Sequence, residues 1–443
     1  MYDVAIIGAG VSGIFMAYKL TLEHPEYKII MIDKGKRLSE RTCKAESKSS
    51  CTCEVCDQYI GFGGLGKSEG KFNYTNDFGG SLDRKIGNQK AEALMSEVDD
   101  VICSFGGGEA DLYHTHSPHL QQQAEIHGLK VLTTSVRHLG TALSTSVIQR
   151  LYNYLSKRIE IWFETDVSSI NKGELFVLET NQGPVMTEKV VISTGNSGGQ
   201  WMYDQCEKLG LKPGPSRIDL GLRVEMRGNQ LDQMLKETFE TKLHIAGDGY
   251  EGTTYCMNPN GRIIRKYQHG LVMADGQNMR EEKTPGSNLN FTLFIPSLFD
   301  TKKEADQFAE NVIGDINRQR ARIVVQRLQD LKNDRPTNDY VIAQNGIQPS
   351  LEAEGGNLVD EVPEKFVRGL LEFLDALQNL LGEPIDDDTL VYGMDGKFYE
   401  PKIRTSDQFE TEVPGLYLIG DCSGETHSLS QAAASGLYVA QYV

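Results

Sequence analysis

Nowhere in the 443 residues does an apolar run reach the ~20 that a membrane-spanning helix requires. Basic charge is also short: 45 lysines and arginines face 62 aspartates and glutamates, a formal net charge of −17. A protein that neutralises a nucleic-acid backbone needs the opposite balance, so nucleic acid is not an expected partner and only a local basic patch stays open. Residues 4–20 are apolar, but glycines interrupt them and no basic segment precedes them, so no secretory leader is expected. The expected location is cytoplasmic, where thiols stay mostly reduced. Eight cysteines in so long a chain do not make a disulfide framework, and their clustering is the informative part. Residues 200–388 hold no repeats and no low-complexity tracts. The remaining composition, 39% hydrophobic and 24% charged, is that of an ordinary globular protein with two or three compact units.

What is present begins at the N-terminus. "YDVAIIGAGVSGIFMAYKL" reads as a β-branched strand, Val4 to Ile7, a glycine turn and an amphipathic helix. Gly8, Gly10 and Gly13 occupy G-x-G-x-x-G: the first for the tight turn, the second for close approach to a pyrophosphate, the third for helix–strand packing. Val11 and Ser12 open the helix, whose free N–H groups and partial positive charge suit phosphate. A second strand, "YKIIMIDKG", ends in Asp33 and Lys34, and Asp33 stands where a ribose hydroxyl needs an acceptor. Strand, turn, helix and acid in this order make a dinucleotide the expected ligand.

Near the other end, "VPGLYLIGDCSGETHSLSQAAASGLYVAQYV" reads as a buried strand, Leu416 to Ile419, then Gly420-Asp421 and a helix of small residues from about Ser428. This resembles the second fingerprint of flavoproteins of the glutathione-reductase type. The resemblance implies that Asp421 holds the ribityl or phosphate part of FAD and that the next helix, with Gln431 and Ala432 in its first turns, points its N-terminus at the flavin pyrimidine. A reduced flavin carries negative charge there, which a helix N-terminus stabilises. Ala432, Ala433, Ala434 and Gly436 allow this helix to pack closely on a neighbour. Between the two ends, residues 158–199 alternate as short strands and polar turns and close on Lys189 to Ser193, followed by Thr194-Gly195. By the same resemblance this is a three-stranded meander returning to the nucleotide sheet, with Val167 against the adenine.

With these segments in place, the chain resembles a largely uncharacterised family of bacterial FAD-dependent dehydrogenases. The likeness runs over nearly the whole length, through "GFGGLGKSEGKFN" (61–73), "VRHLGT" (136–141), "VVISTGNSGG" (190–199), "GLRVE" (221–225) and "GLYLIGDCSGETHSLSQAAASG" (415–436). The chain departs from the family pattern at Leu65, at Glu69 and at His427-Ser428, so the resemblance carries no particular substrate. Gly61, Gly63, Gly64 and Gly66 suggest a loop brought close to a cofactor, with Leu65 among them; Lys67, Ser68 and Lys71 follow as phosphate ligands or solvated side chains. Just before it, Cys43, Cys51, Cys53 and Cys56 are spaced C-x7-C-x-C-x2-C. They suit a structural zinc or iron–sulfur ligand set, redox-active thiols or unligated thiols, and the reading preferred is a clasp fixing the glycine loop over the cofactor. Cys103, Cys206, Cys256 and Cys422 read as buried or incidental.

In the middle, "RIDLGLRVEM", "GRIIRKYQHGLVM" and "NLNFTLFIP" read as strands. Residues 302–332 read as a long helical stretch broken near Gly314, and a further helix starts after Pro363. The expected architecture is α/β: a Rossmann-like FAD-binding domain with a β-meander crossover, formed by 1–199 and 389–443, and an inserted α+β substrate domain, 200–388. The expected activity is hydride transfer between a small organic substrate and flavin N5. NAD(P)H is left open as electron donor, but without a second fingerprint it has no Rossmann domain of its own. His427, at the start of the helix aimed at the flavin, is the preferred candidate acid or base; His138, Arg223 and His269 are weaker candidates for proton transfer or anion binding. Two other readings stand beside it, a non-enzymatic binding scaffold on the same fold and an electron-transfer flavoprotein with a cysteine-bound metal. Oligomeric state is not legible.

Overall fold

Short, mostly apolar runs at both ends and in the middle of the chain come together in one parallel sheet. Its strands are β1 (Tyr2–Ile7), β2 (Ile29–Ile32), β3 (Glu160–Trp162), β6 (Val185–Ile192) and β7 (Leu416–Leu418), in the spatial order β3-β2-β1-β6-β7. Every neighbouring pair runs parallel, with Ile7 opposite Ile192 and Ile192 opposite Leu418. Two more strands, β4 (Val167–Lys172) and β5 (Phe176–Thr180), form an antiparallel meander that ends in β6. One strand thus closes the meander and supplies the fourth parallel strand of a doubly wound, Rossmann-like sheet. The computed structural model describes residues 1–42, 55–238, 241–277 and 288–443.

Both faces of the parallel strands are covered, which is why they read as continuous apolar runs. Val4 and Ile6 of β1 face a core shared with α1 (Val11–Glu23), α2 (Asn88–Ser104), α3 (Gly140–Leu155) and α5 (Leu429–Val439). Ala5 and Ile7 face the opposite core, shared with Val167 and Phe176 of the meander and with Met202 and Cys206 of α4 (Gly199–Lys208). The helix–helix contact is close where small residues permit it: a Cβ on Gly436 would lie 2.2 Å from the Ser12 carbonyl oxygen. The neighbour for which the small residues of α5 are suited is therefore α1.

These elements belong to a first compact unit, residues 1–114, 134–214 and 400–443; residues 115–133 and 215–399 form a second. The sequence boundaries at 199 and 389 fall elsewhere, and strand pairing accounts for the difference. Leu129–Leu132 pairs with Lys242–Gly247, and Leu390–Phe398 pairs with Ser216–Arg227 and Val324–Arg327, so both segments join the second unit. Such partners are remote in sequence and leave no local signature.

The second unit is built on a nine-stranded, mainly antiparallel sheet whose central strands are Leu390–Phe398, Ser216–Arg227, Asn288–Phe299 and Tyr250–Gln268. The helix Glu364–Leu381 buries Phe366, Leu370, Phe373, Leu374 and Leu377 in a core with Leu220, Leu222 and Val224 of the sheet. The stretch expected as a broken helix over 302–332 is helical in two pieces. Lys302–Ala309, with a Thr301–Glu304 capping box, runs through a π-helical turn at Glu310–Gly314 to Asn317, and Leu328–Lys332 is a short helix. Before that short helix, however, Val324–Arg327 is a strand. Its β-branched pair, Val324 and Val325, pairs with Gly393 and Tyr392, and that tertiary partner overrides the helical pattern. Among the described residues no helix is long and apolar enough to cross a membrane.

Candidate cofactor groove

In a doubly wound sheet a ligand binds beyond the carboxyl ends of the strands, where the strand order reverses. Here the reversal falls between β1 and β6. A groove of about 1100 Å³, its open mouth included, lies against the strand-end residues Gly8, Asp33, Ser193, Thr194, Gly195 and Asp421. The three fingerprint glycines meet different demands. Gly8 has φ +106°, and a Cβ there would lie 2.5 Å from the Ser193 oxygen. On Gly13 a Cβ would lie 2.4 Å from the Gly8 oxygen, so its role is packing of helix on strand. Gly10 has an ordinary φ of −74°, and the one atom near an added Cβ is the Ser193 oxygen at 3.9 Å. The fold does not require glycine at position 10. It lines the groove with Val11 and Ser12, so a side chain there would intrude only on a ligand.

Asp33 is 8% exposed and accepts from the backbone N–H groups of Ala9 and Gly35, each at 2.7 Å. Burial raises its pKa, and the two N–H groups oppose that rise. The carboxylate thus shapes the glycine turn while presenting its edge to the groove, where Lys34 also stands. Val167 lines the same groove, as does Trp201, whose indole N–H donates to the Val167 carbonyl at 2.6 Å. Trp201 carries no motif and was not singled out from sequence.

The C-terminal segment completes the wall. Gly420, φ +70°, packs so tightly on Ser12 that a Cβ would sit 2.4 Å from its Oγ. Asp421 lines the groove half-buried, where desolvation pushes its pKa up to about 7; the Thr426 hydroxyl donates to it at 3.1 Å and pulls the other way. Helix α5 starts beside it. Ser428 caps the helix, its Oγ accepting from the Gln431 N–H at 3.3 Å, and Ser428, Leu429 and Ala432 line the groove. The side chain of Gln431 turns away: it is fully buried and donates to the carbonyls of Thr75 and Phe78 at 3.1 and 3.3 Å.

The glycine loop forms another wall through Tyr59, Ile60, Gly61, Gly64 and Leu65. Gly63 and Gly66 do not line it. Gly63 donates its N–H to the Ala9 carbonyl at 2.8 Å, and a Cβ on Gly66 would meet Val11 at 2.7 Å. Lys67 donates to the Arg41 carbonyl at 2.5 Å and Ser68 to that of Leu65 at 2.6 Å, so both side chains hold the loop itself. Arg41, unremarkable in sequence, is 2% exposed and binds four loop carbonyls.

Other candidates lie apart. His427 is half-buried and not among the groove-lining residues; its backbone N–H donates to the Gly79 carbonyl at 2.8 Å. His138 lies 3.8 Å from Glu69, while His269 packs on Phe398 with ring centroids 4.6 Å apart and has its pKa lowered by burial. Cys43, Cys51 and Cys53 lie outside the described residues. Cys56 is a half-buried free thiol, and among the described residues no three His, Cys, Asp or Glu side chains are grouped to hold a metal. Cys206 and Cys422 are buried, and Cys103 is half-buried with its thiol 3.9 Å from Asp99.

No protein-family model matches the chain, and no curated protein matches it in sequence. Several solved structures match the chain at low identity. Glycine oxidase from Geobacillus kaustophilus is 13% identical with a TM-score of 0.41, over 99% of this chain and 94% of that one. L-alpha-glycerophosphate oxidase from Mycoplasma pneumoniae, solved with FAD bound, is 10% identical with a TM-score of 0.38, over 99% and 94%. Quinol fumarate reductase from E. coli is 14% identical with a TM-score of 0.41, over 100% and 69%.

Proposed function

We propose that this chain is an FAD-dependent oxidoreductase that transfers a hydride between a small organic substrate and the flavin. The observation that carries the reading is the convergence of Gly10 and Asp421, residues from opposite ends of the chain, on one groove at the strand-order reversal. A mononucleotide would need only the first half of such a wall, whereas a dinucleotide spans it from Asp33 and Val167 to α5.

In this reading the turn Gly8–Gly13 and the start of α1 receive the pyrophosphate, with Gly10 giving close backbone approach. Asp33 accepts from the adenosine ribose, Val167 and Trp201 flank the adenine, and Thr194, Gly195 and Asp421 meet the ribityl chain. Helix α5 directs its partial positive charge at the flavin pyrimidine. When bound, FAD would supply the two-electron chemistry that no side chain offers. His427, one residue before the cap of α5, is the proposed proton donor or acceptor. The electron donor is left open, with NADH and NADPH the first to be tried.

Absorption spectroscopy of the purified protein, alone and after incubation with FAD, tests the first half of the proposal. A flavin spectrum that bleaches on adding NADH or NADPH supports it; a colourless protein that gains no thermal protection from FAD sinks it. His427→Ala should slow reoxidation or reduction without releasing FAD, and unchanged half-reactions would remove His427 from the mechanism.

A further inference from the structure

The glycine loop that walls the groove is held by its backbone N–H groups, Gly63 to Ala9 and Phe62 to Lys36 among them, but its outward carbonyls need donors from elsewhere. Gly61, Gly63 and Gly64 have φ of +107°, +89° and +48°, conformations that glycine adopts freely and abandons as freely. A Cβ on Gly64 would come within 3.2 Å of the Gly10 Cα, so the loop lies directly on the fingerprint turn. A displacement of an ångström would close the space beside Gly10 or open it.

We infer that Arg41 is the positioning residue that fixes this wall for the cofactor, an inference that rests on the FAD reading above. Its Nε donates to the Asp57 carbonyl at 3.0 Å. Nη1 donates to the carbonyls of Phe62 and Gly64 at 2.7 and 3.1 Å, and Nη2 to those of Gln58 and Gly64 at 2.9 and 3.1 Å. One planar fork thereby spans both limbs of the loop, a geometry that a lysine ammonium cannot reproduce. The base of the fork is anchored too: the Asp57 carboxylate accepts from Lys36 Nζ at 2.9 Å and from the Thr42 N–H at 3.3 Å. The Arg41 carbonyl accepts from Lys67. The function assigned at sequence level to a cysteine clasp is met, within the described residues, by this arginine.

Arg41→Met and Arg41→Lys, each checked for folding by circular dichroism, test the inference in two arms. In cofactor-free protein, amide exchange at Phe62, Gly63, Gly64 and Gly66 should accelerate at least tenfold in both variants, with amides of β6 unchanged. In the second arm, FAD should bind ~10–100-fold more weakly and show an altered visible band shape. In Arg41→Ala, added guanidinium ion at millimolar concentration, but not ammonium, should restore affinity. Wild-type exchange at those four amides overturns the inference, and so does a loosened loop that binds FAD with wild-type affinity and spectrum. If the wild-type protein takes up no FAD, the functional reading falls and the cofactor role of Arg41 with it; the exchange arm then still decides whether Arg41 holds the loop.

Discussion

The groove of the first unit and the core of the second bury polar groups in opposite ways. In the first, Gly10, Asp33, Thr194, Gly195 and Asp421 converge on a groove. In the second, charges are buried to satisfy one another. Arg223 is 0% exposed; its guanidinium donates to Thr292 Oγ1 at 2.9 Å and to the Asn290 side-chain oxygen. Asp395 accepts from Thr292 at 2.9 Å and from Lys266 at 2.9 Å. Glu225 accepts from the Tyr392 hydroxyl at 2.7 Å and from Asn288 at 3.0 Å. A buried charge is therefore no marker of a site in this protein. Convergence on open space is.

Mutations should separate the two cases. The largest effect is expected at Gly13→Ala, where the Cβ would meet backbone at 2.4 Å and helix α1 would have to leave β1. We expect loss of about 3 kcal/mol or more, or failure to fold. Gly10→Ala is its counterpart: Tm should stay within about 2 °C of wild type while FAD affinity falls ~10–100-fold, because only a ligand needs that space. Equal damage from both substitutions would mean that position 10 is structural. In the second unit, Arg223→Met should cost about 3–5 kcal/mol in urea denaturation, the penalty for breaking a buried charge network. The folded fraction should bind FAD within twofold of wild type; a large change in affinity would erase the contrast between the units.

What the sequence disclosed follows the same division. Gly8, Gly10, Gly13 and Asp33 were legible because turn, helix start and acid lie within one short segment. Gly420-Asp421 and the helix start near Ser428 were legible for the same reason. Arg41 was not, since its partners are backbone carbonyls and carbonyls leave no side-chain pattern. Nor was Gln431, expected at the cofactor, whose amide instead grips the carbonyls of Thr75 and Phe78. In the second unit Arg223 drew notice as an anion ligand, but its partners, Asn290, Thr292 and Asp395, come from strands far away in the chain. The strand at Val324–Arg327 was read as helix because its pairing partner lies more than sixty residues on.

Asp421 allows the comparison to be sharpened by pH. Its folded pKa of about 7 stands above the ordinary carboxylate value, so the folded protein holds a proton that the unfolded chain has released. The sign follows from linkage: stability from this group is complete below about pH 4, declines as pH rises toward 7, and stays reduced above that. Asp421→Asn should remove this slope and make cofactor-free protein more stable at pH 8, by on the order of 2 kcal/mol once the water admitted by the groove is allowed for. Chemical denaturation at pH 5 and pH 8 measures it. An unaltered slope in the variant would place the titration elsewhere.

The smallest effect is expected where the groove is held by a single neutral bond. The chain has two tryptophans, and they form a natural pair. Trp201 lines the groove and donates to the Val167 carbonyl at 2.6 Å, whereas Trp162 donates to Glu160 at 2.8 Å and does not line it. Trp201→Phe keeps most of the apolar surface and loses the hydrogen bond, a change of about 1 kcal/mol. FAD affinity should drop about fivefold, and titration followed by the flavin's own fluorescence would report it. Trp162→Phe should leave the affinity unchanged, and Trp201 should supply most of the quenching on FAD binding. If the two substitutions act alike, the end of the groove assigned to adenine does not lie between Val167 and Trp201.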